Sequence, residues 1–395
     1  MSDPLVRVRP ERFVAGGAAL GHLPDGRVVF VRGGIPGDDV DVEITADKRG
    51  FVEARAVAVH TAAPDRVAQP GEQRLAGGGG CDWQHIADRA QLGHKLQIVT
   101  DALRRTGHLP GADIRAGASV PAEGYRTTVR VIGDSEGRAA FRLEQSHDTS
   151  PAAGCAIADP RLARMLARVH VPPGVEVTLR VSAATGEKSA HWNHKAGQVT
   201  GLPENTRTGP NAYITEHVAG VPLRVSAGSF FQSGPAAAEL LVDAVSRAAP
   251  ELAVAVRVVD AYAGVGLFAA TVVPARTQVT VIESAKSAAA DARVNLKGRP
   301  ATVVASEVGR WQADGAYDVV IADPARTGLA KPGVGALVAA QAPVFVLVSC
   351  DPVALARDAA LLAEAGYRHE YTEVLDLFPN THHVEAVTRF VHTAD

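Results

Sequence analysis

In the stretch VLVSCDPVALARD, residues 347–359, an apolar run ends at Ser349 and gives way to Cys350, Asp351 and Pro352. A cysteine within a strand is ordinarily a small hydrophobe. Cys350 instead falls at a strand's carboxyl end, just before a helix opened by Pro352, where a helix N-terminus is expected to favour its thiolate. Addition of a thiolate to carbon 6 of uracil turns the ring into an enolate whose carbon 5 can attack an electrophilic methyl group. A base must then remove the carbon-5 proton. Glu385, in FPNTHHVEAV at the start of a terminal β segment, is the expected acceptor, its pKa raised by burial. His382 and His383 are the competing bases, although adjacent histidines in a turn are more often structural.

The methyl donor needs its own site. VVDAYAGVGLFAA reads as a strand ending at Asp260, a turn carrying Gly264 and Gly266, and a helix. Two glycines let the backbone turn tightly and approach a ligand, with the amides of the next helix facing it. The same residues fit G-x-G-x-x-A, so a nicotinamide-dependent oxidoreductase is a competing reading. Asp260 tilts the balance, because a carboxylate repels a pyrophosphate but attracts a cationic, amino-acid-bearing ligand such as S-adenosylmethionine. Glu283 closes the next strand, VTVIE, where a carboxylate can accept from ribose hydroxyls in either cofactor class. Asp323 and Pro324 end a third strand, DVVIADP, and Ala325-Arg326 follow. Amino-group methyltransferases often place an aromatic there, so its absence disfavours attack on an exocyclic nitrogen.

The elements that must hold these residues follow from periodicity. After residue 234 helix and strand alternate, which predicts a doubly wound, Rossmann-like α/β domain over 227–395 with ligands at the carboxyl ends of its strands. Residues 1–63 carry short alternating strands separated by Gly- and Pro-rich turns, the pattern of a small all-β barrel. TAAPDRVAQPGEQRLAGGGG reads as a connection. A mostly β central domain spans 64–226, with a clear amphipathic helix at about 84–106 placed to pack on the catalytic domain.

Hydrophobic residues make up 46% and charged residues 21%, the balance of an ordinary globular chain rather than a disordered one. There is no apolar stretch of membrane-spanning length and no signal-peptide core, so a cytoplasmic location is expected. Cys81, Cys155 and Cys350 are too few and too far apart for a disulfide framework. The formal net charge of −3 does not advertise a nucleic-acid partner. Local clusters do exist, at Arg7, Arg9 and Arg12 and again at Arg126, Arg130, Arg138 and Arg142.

With DAYAGVGLF, DPARTGL, VLVSCDPVALARD and LDLFPNTHHVEAV in this order, the C-terminal half closely resembles the TrmA/RlmD-type RNA 5-methyluridine methyltransferases. Residues 8–60 look like a TRAM domain, an oligonucleotide-binding-type barrel, and YRTTVRV with AAFRLEQSHD looks like the family's central domain. The resemblance implies Cys350 as nucleophile, Glu385 as proton acceptor, and Gln232, Tyr262, Glu283 and Asp323 as S-adenosylmethionine contacts. It implies RNA as the partner, with 23S rRNA placed ahead of the tRNA T loop because the barrel accompanies rRNA enzymes; a monomer is expected, although the sequence does not itself give the oligomeric state. A non-catalytic RNA-binding factor on the same scaffold is the alternative from another class, motivated by Leu267 and Ala325, which depart from the family pattern. Carbon-5 cytidine enzymes carry a second cysteine beside the Asp-Pro motif, and none lies near Asp323. Many relatives hold an iron–sulfur cluster on four cysteines. Only Cys81 and Cys155 stand in the corresponding segments, and two thiols do not fill a four-thiolate set, so no metal and no cluster are expected.

Overall fold

The computed structural model describes residues 5–68, 81–143 and 148–393. From residue 69 on, the Pro- and Gly-rich connection lies outside the described residues, as do 144–147 of AAFRLEQSHD. The first six strands, β1 (Val6–Val8), β2 (Arg12–Phe13), β3 (Ala19–His22), β4 (Val28–Arg32), β5 (Asp39–Lys48) and β6 (Phe51–Thr61), form one sheet in the order β1-β5-β6-β4-β3-β2. Their alternation turns Val8, Val29, Val31, Val40, Val42 and Val52 inward to a common core.

A helix, Asp88–Arg105, and β7 (Ile114–Ser119) follow. The central sheet takes β8 (Thr128–Gly133), β9 (Ala139–Arg142), β10 (Thr149–Pro151), β11 (Glu176–Val181), β12 (Lys188–Trp192) and β13 (Thr206–Thr208) in the order β10-β9-β8-β11-β12-β13. One short helix, Pro160–Leu166, covers it with Leu162 and Met165, capped by Asp159, whose carboxylate accepts from Arg161 N at 2.8 Å. A hairpin of β14 (Tyr213–Val218) and β15 (Val221–Ser226) leads into the helix Pro235–Ala248.

The catalytic sheet comprises β16 (Arg257–Ala261), β17 (Gln278–Ile282), β18 (Ala301–Val304), β19 (Val319–Ala322), β20 (Val344–Ser349), β21 (Tyr367–Asp376) and β22 (Glu385–His392). Its order is β18-β17-β16-β19-β20-β22-β21-β7, with the chain reversing direction outward from β16. β16 to β20 are mutually parallel, and VVIA and VFVLVS are buried throughout, as strands covered by helices on both faces must be. The doubly wound pattern read from sequence is present, with one difference. β22 inserts antiparallel between β20 and β21, because the short connection from β21 only allows a hairpin return.

β7 adds a last parallel strand outside β21, and the helix Asp88–Arg105 packs on β21, β7 and the helix Pro352–Glu364. The N-terminal half thus completes the catalytic sheet. Among the described residues no helix is long and apolar enough to cross a membrane.

Candidate active site

Strand register builds the site. Ala261 pairs with Ile282 on one side and Ala322 on the other, so the next residues, Tyr262, Glu283 and Asp323, emerge side by side. Ser349 pairs with Ala386 across the antiparallel β20–β22 ladder, which sets Cys350 beside Glu385 one step further. Five neighbouring strands therefore deliver Glu283, Tyr262, Asp323, Cys350 and Glu385 to one sheet edge. Tyr262 takes a left-handed φ of 58°, a conformation that costs a side-chain-bearing residue about 1 kcal/mol and is held here by the surrounding strands.

Burial shapes the electrostatics. Glu385 is 4% exposed, and desolvation followed by the charge of Asp323 raises its carboxyl well above the usual range. Desolvation takes Asp323 up to about 7. Cys350 is pushed up to about 12 by its own burial and by Glu385 and Asp323, against the pull of the Arg326 guanidinium. This corrects the sequence-based expectation of a thiolate favoured by the helix. Asp351 caps that helix instead, its carboxylate accepting from Val353 N at 3.0 Å and Ala354 N at 2.8 Å. The thiol is therefore protonated at neutral pH.

At the cofactor end, Gly264 and Gly266 have φ of 56° and 84°, and Gly266 opens the helix Leu267–Thr271. No atom would lie within 4 Å of a side-chain carbon added at Gly264, so a ligand can approach its backbone. Asp260 is fully buried, and one carboxylate oxygen accepts from Ala269 N at 2.8 Å. Its other oxygen is buried with no hydrogen-bond partner. Burial, opposed by the Ala269 bond, takes its carboxyl up to about 7. Glu283 accepts from Gly264 N at 2.9 Å and from Ala285 N at 2.6 Å, which ties the two loops together and leaves each oxygen a further lone pair for a ribose hydroxyl. The orphaned oxygen of Asp260, the open backbone at Gly264 and the carboxylate of Glu283 fit a ligand that carries an ammonium group and ribose hydroxyls.

Gln232 is 7% exposed in the loop before the helix Pro235–Ala248. Asp291 anchors that loop to the helix Lys286–Asn295 by accepting from Ser226 N at 2.7 Å and Ser229 Oγ at 2.9 Å. A single glutamine in SFFQSG carries no chemical pattern of its own, so only the family resemblance pointed to it. The histidines have structural partners. His382 Nδ1 lies 2.6 Å from Asp82, and His383 Nε2 accepts from Arg326 at 3.3 Å. Burial, His382 and Arg326 push His383 down to about 3, so it is neutral. The contacts of Arg326 with His383 and of Asp351 with the helix Pro352–Glu364 are made only in the folded chain, and no sequence pattern announces them.

Beside the site runs an open groove of about 1740 Å³ between the first sheet, the helix Asp88–Arg105 and the segments carrying Arg326 and His382. Its walls hold eight arginines against four acidic residues; Arg12, Arg55, Arg66 and Arg142 are ion-paired with Asp101, Glu43, Asp38 and Glu176, so the groove's basic character rests chiefly on Arg105, Arg126 and Arg326. Some of the arginines singled out from sequence are neutralised. Arg7 and Arg9 both pair with Asp39, Arg138 with Asp134, and Arg142 with Glu176. Cys81 and Cys155 are both half-buried against the large core under the cofactor end.

Residues 6–57 match the TRAM domain family. Over 94% of both chains the sequence is 32% identical to an RNA methyltransferase of Streptomyces avermitilis. It is 31% identical to the 23S rRNA (uracil(1939)-C(5))-methyltransferase RlmD of Halomonas elongata, over 95% of this chain and 87% of that one. In fold it is similar to the tRNA (uracil-54, C5)-methyltransferase of Pyrococcus abyssi in complex with S-adenosyl-L-homocysteine, with a TM-score of 0.73 at 22% identity, covering 97% of this chain and all of that one.

Proposed function

The chain belongs to the TrmA/RlmD-type RNA methyltransferases, and from that premise we propose that it methylates carbon 5 of a uridine in 23S rRNA, using S-adenosylmethionine. The observation that carries this reading is the adjacency of Cys350 and Glu385 at the end of the β20–β22 ladder, next to Asp323. Gly264, Glu283, Asp260 and Gln232 would hold S-adenosylmethionine, which when bound would supply an electrophilic methyl group. Gln232, Tyr262, Glu283 and Asp323 are the side chains that orient it.

Cys350 gives up its proton to solvent as its sulfur bonds to carbon 6 of the uracil, moving electrons onto the ring so that carbon 5 becomes nucleophilic. Once carbon 5 carries the methyl, the Glu385 carboxylate takes the proton from that carbon. The carbon–sulfur bond breaks, the ring double bond re-forms, and the thiolate is released. A carboxyl whose pKa burial raises is a stronger base for such a transfer than an ordinary surface carboxylate. None of these groups can reach a base edge inside a helix, so the target uridine is unstacked and flipped into the site. The basic groove suits the flanking RNA backbone, whose phosphates its arginines can hold.

The choice of 23S rRNA is supported by the similarity to the Halomonas elongata enzyme over nearly the whole chain and by the TRAM-type domain. Incubation with RNA carrying 5-fluorouridine tests the reaction, because the fluorine cannot leave as a proton and the adduct is trapped. A covalent adduct in the native protein, lost in Cys350→Ala, is expected, and its absence in the native protein would exclude the mechanism. Mapping the adduct in 23S rRNA and in tRNA separates the two substrates.

A further inference from the structure

The segment that delivers Glu385 does not stand by itself. It is fastened to a helix nearly three hundred residues earlier in the chain by a buried ion pair: Lys95 Nζ lies 2.6 Å from Asp376 Oδ1, with the two side chains 0% and 3% exposed. Lys95 also donates to Phe378 O at 3.0 Å, and Asp376 Oδ1 accepts from Phe378 N at 3.2 Å, so the turn out of β21 closes around the ammonium group. One helical turn earlier, on the same face, Gln91 Oε1 accepts from Asn380 N at 2.6 Å. Asn380 holds a left-handed φ of 66° and donates from its side chain to Ala122 O at 3.0 Å. Thr381 Oγ then donates to Phe378 O at 2.7 Å and accepts from His383 N at 3.2 Å, two residues before Glu385.

We infer that Lys95, paired with Asp376, is a positioning residue for proton abstraction: it fixes the turn 376–383 so that the Glu385 carboxylate meets carbon 5 of the uracil held on Cys350. Stability alone is a weak reason for this pair. Two buried charges lose much of their mutual attraction to desolvation, and well-packed apolar replacements are often neutral or stabilising. Geometry is a stronger reason, since misplacing a reacting group by about 1 Å can cost about a hundredfold in rate. The Lys95 side chain is fully buried. Its bonds end on the turn that carries the base, and its charge is felt at His383.

The inference rests on the proposed reaction, and the test separates the two. Lys95→Met leaves Asp376 buried without its counter-charge, so Lys95→Met/Asp376→Leu is made alongside it to restore an uncharged, packed pair. In the double variant kcat is expected to fall at least tenfold while KM for RNA stays within about twofold. With ordinary uridine RNA a methylated covalent adduct should accumulate on denaturing gels, because addition proceeds and release is slowed. Amide hydrogen exchange across 378–385 should quicken in the free protein. A double variant with native turnover would overturn the inference. So would one in which adduct formation and release fall together, or one that does not fold, which would assign the pair to stability. If the native protein forms no 5-fluorouridine adduct, the reaction itself fails, and the exchange measurement still decides whether the ion pair holds the turn.

Discussion

The carboxylate of Asp351 occupies the two helix amides that would otherwise have favoured a thiolate at its neighbour Cys350. In the free protein burial keeps this half-buried sulfur protonated, which slows its adventitious oxidation.

Slow reaction with a small disulfide reagent follows. A thiol raised to about 12 has roughly three thousand times less thiolate at neutral pH than one at 8.5, offset about thirtyfold by the greater nucleophilicity of the more basic anion. In protein with Cys81 and Cys155 replaced by serine, Cys350 should react with the aromatic disulfide DTNB about a hundredfold more slowly than free cysteine, and faster as pH rises above 9. A rate equal to that of free cysteine at pH 7 would show that the thiol is activated at rest.

Glu385→Gln keeps the shape of the side chain and removes the proposed proton acceptor. Methyl transfer should proceed once, leaving a methylated RNA–protein adduct stable to denaturant, with steady-state turnover lowered by ~10² to 10⁴. Gel mobility and mass of the adduct report this directly. Unimpaired turnover would transfer the role to another base.

Asp260 makes folding stability depend on pH in a fixed direction. Its folded-state pKa of about 7 lies above the unfolded value, so the folded state binds the proton more tightly. The stabilisation linked to that proton is full below about pH 4 and is lost as pH rises through about 7. Asp323 and Glu385 act with the same sign. Urea unfolding of the free protein should show lower stability at pH 8 than at pH 5, by an amount on the order of a few kcal/mol for Asp260. Asp260→Asn should reduce that slope, and an unchanged slope would remove Asp260 from its cause.

Arg105 stands exposed at the end of its helix on the wall of the basic groove. Arg105→Ala should weaken RNA binding similarly for all sequences and reduce the slope of log K against log salt by about 1. A binding loss confined to one sequence, or an unchanged slope, would place the RNA backbone elsewhere. kcat at saturating RNA should be unaffected.

Much of this was legible from sequence because parallel strands announce themselves. VVIADP and VFVLVSC are continuous apolar runs whose first polar residues fall at the ligand-binding edge, so Asp323 and Cys350 could be placed before any coordinates. The ionic state of Cys350 is not legible in the sequence, because the burial and the neighbouring carboxyls of Glu385 and Asp323 that raise its pKa come together only in the fold. β7 passed unnoticed since IRAGAS has small residues and no clean alternation, and it becomes a strand only by pairing with β21. Nothing in the sequence marks Lys95 as buried, as its counter-charge Asp376 lies far off in the chain.

The pairing of β7 with β21 also dictates how the gene for this protein can be cut. A fragment beginning at residue 227 would carry every motif needed for catalysis, yet it would leave one side of β21 unpaired and Asp376 without its lysine. A bare strand edge invites other chains to dock on it, so such a fragment should precipitate or associate rather than work as a smaller enzyme. Shuffling domains among relatives would meet the same obstacle unless the crossover falls upstream of residue 88, where the helix that carries Lys95 begins.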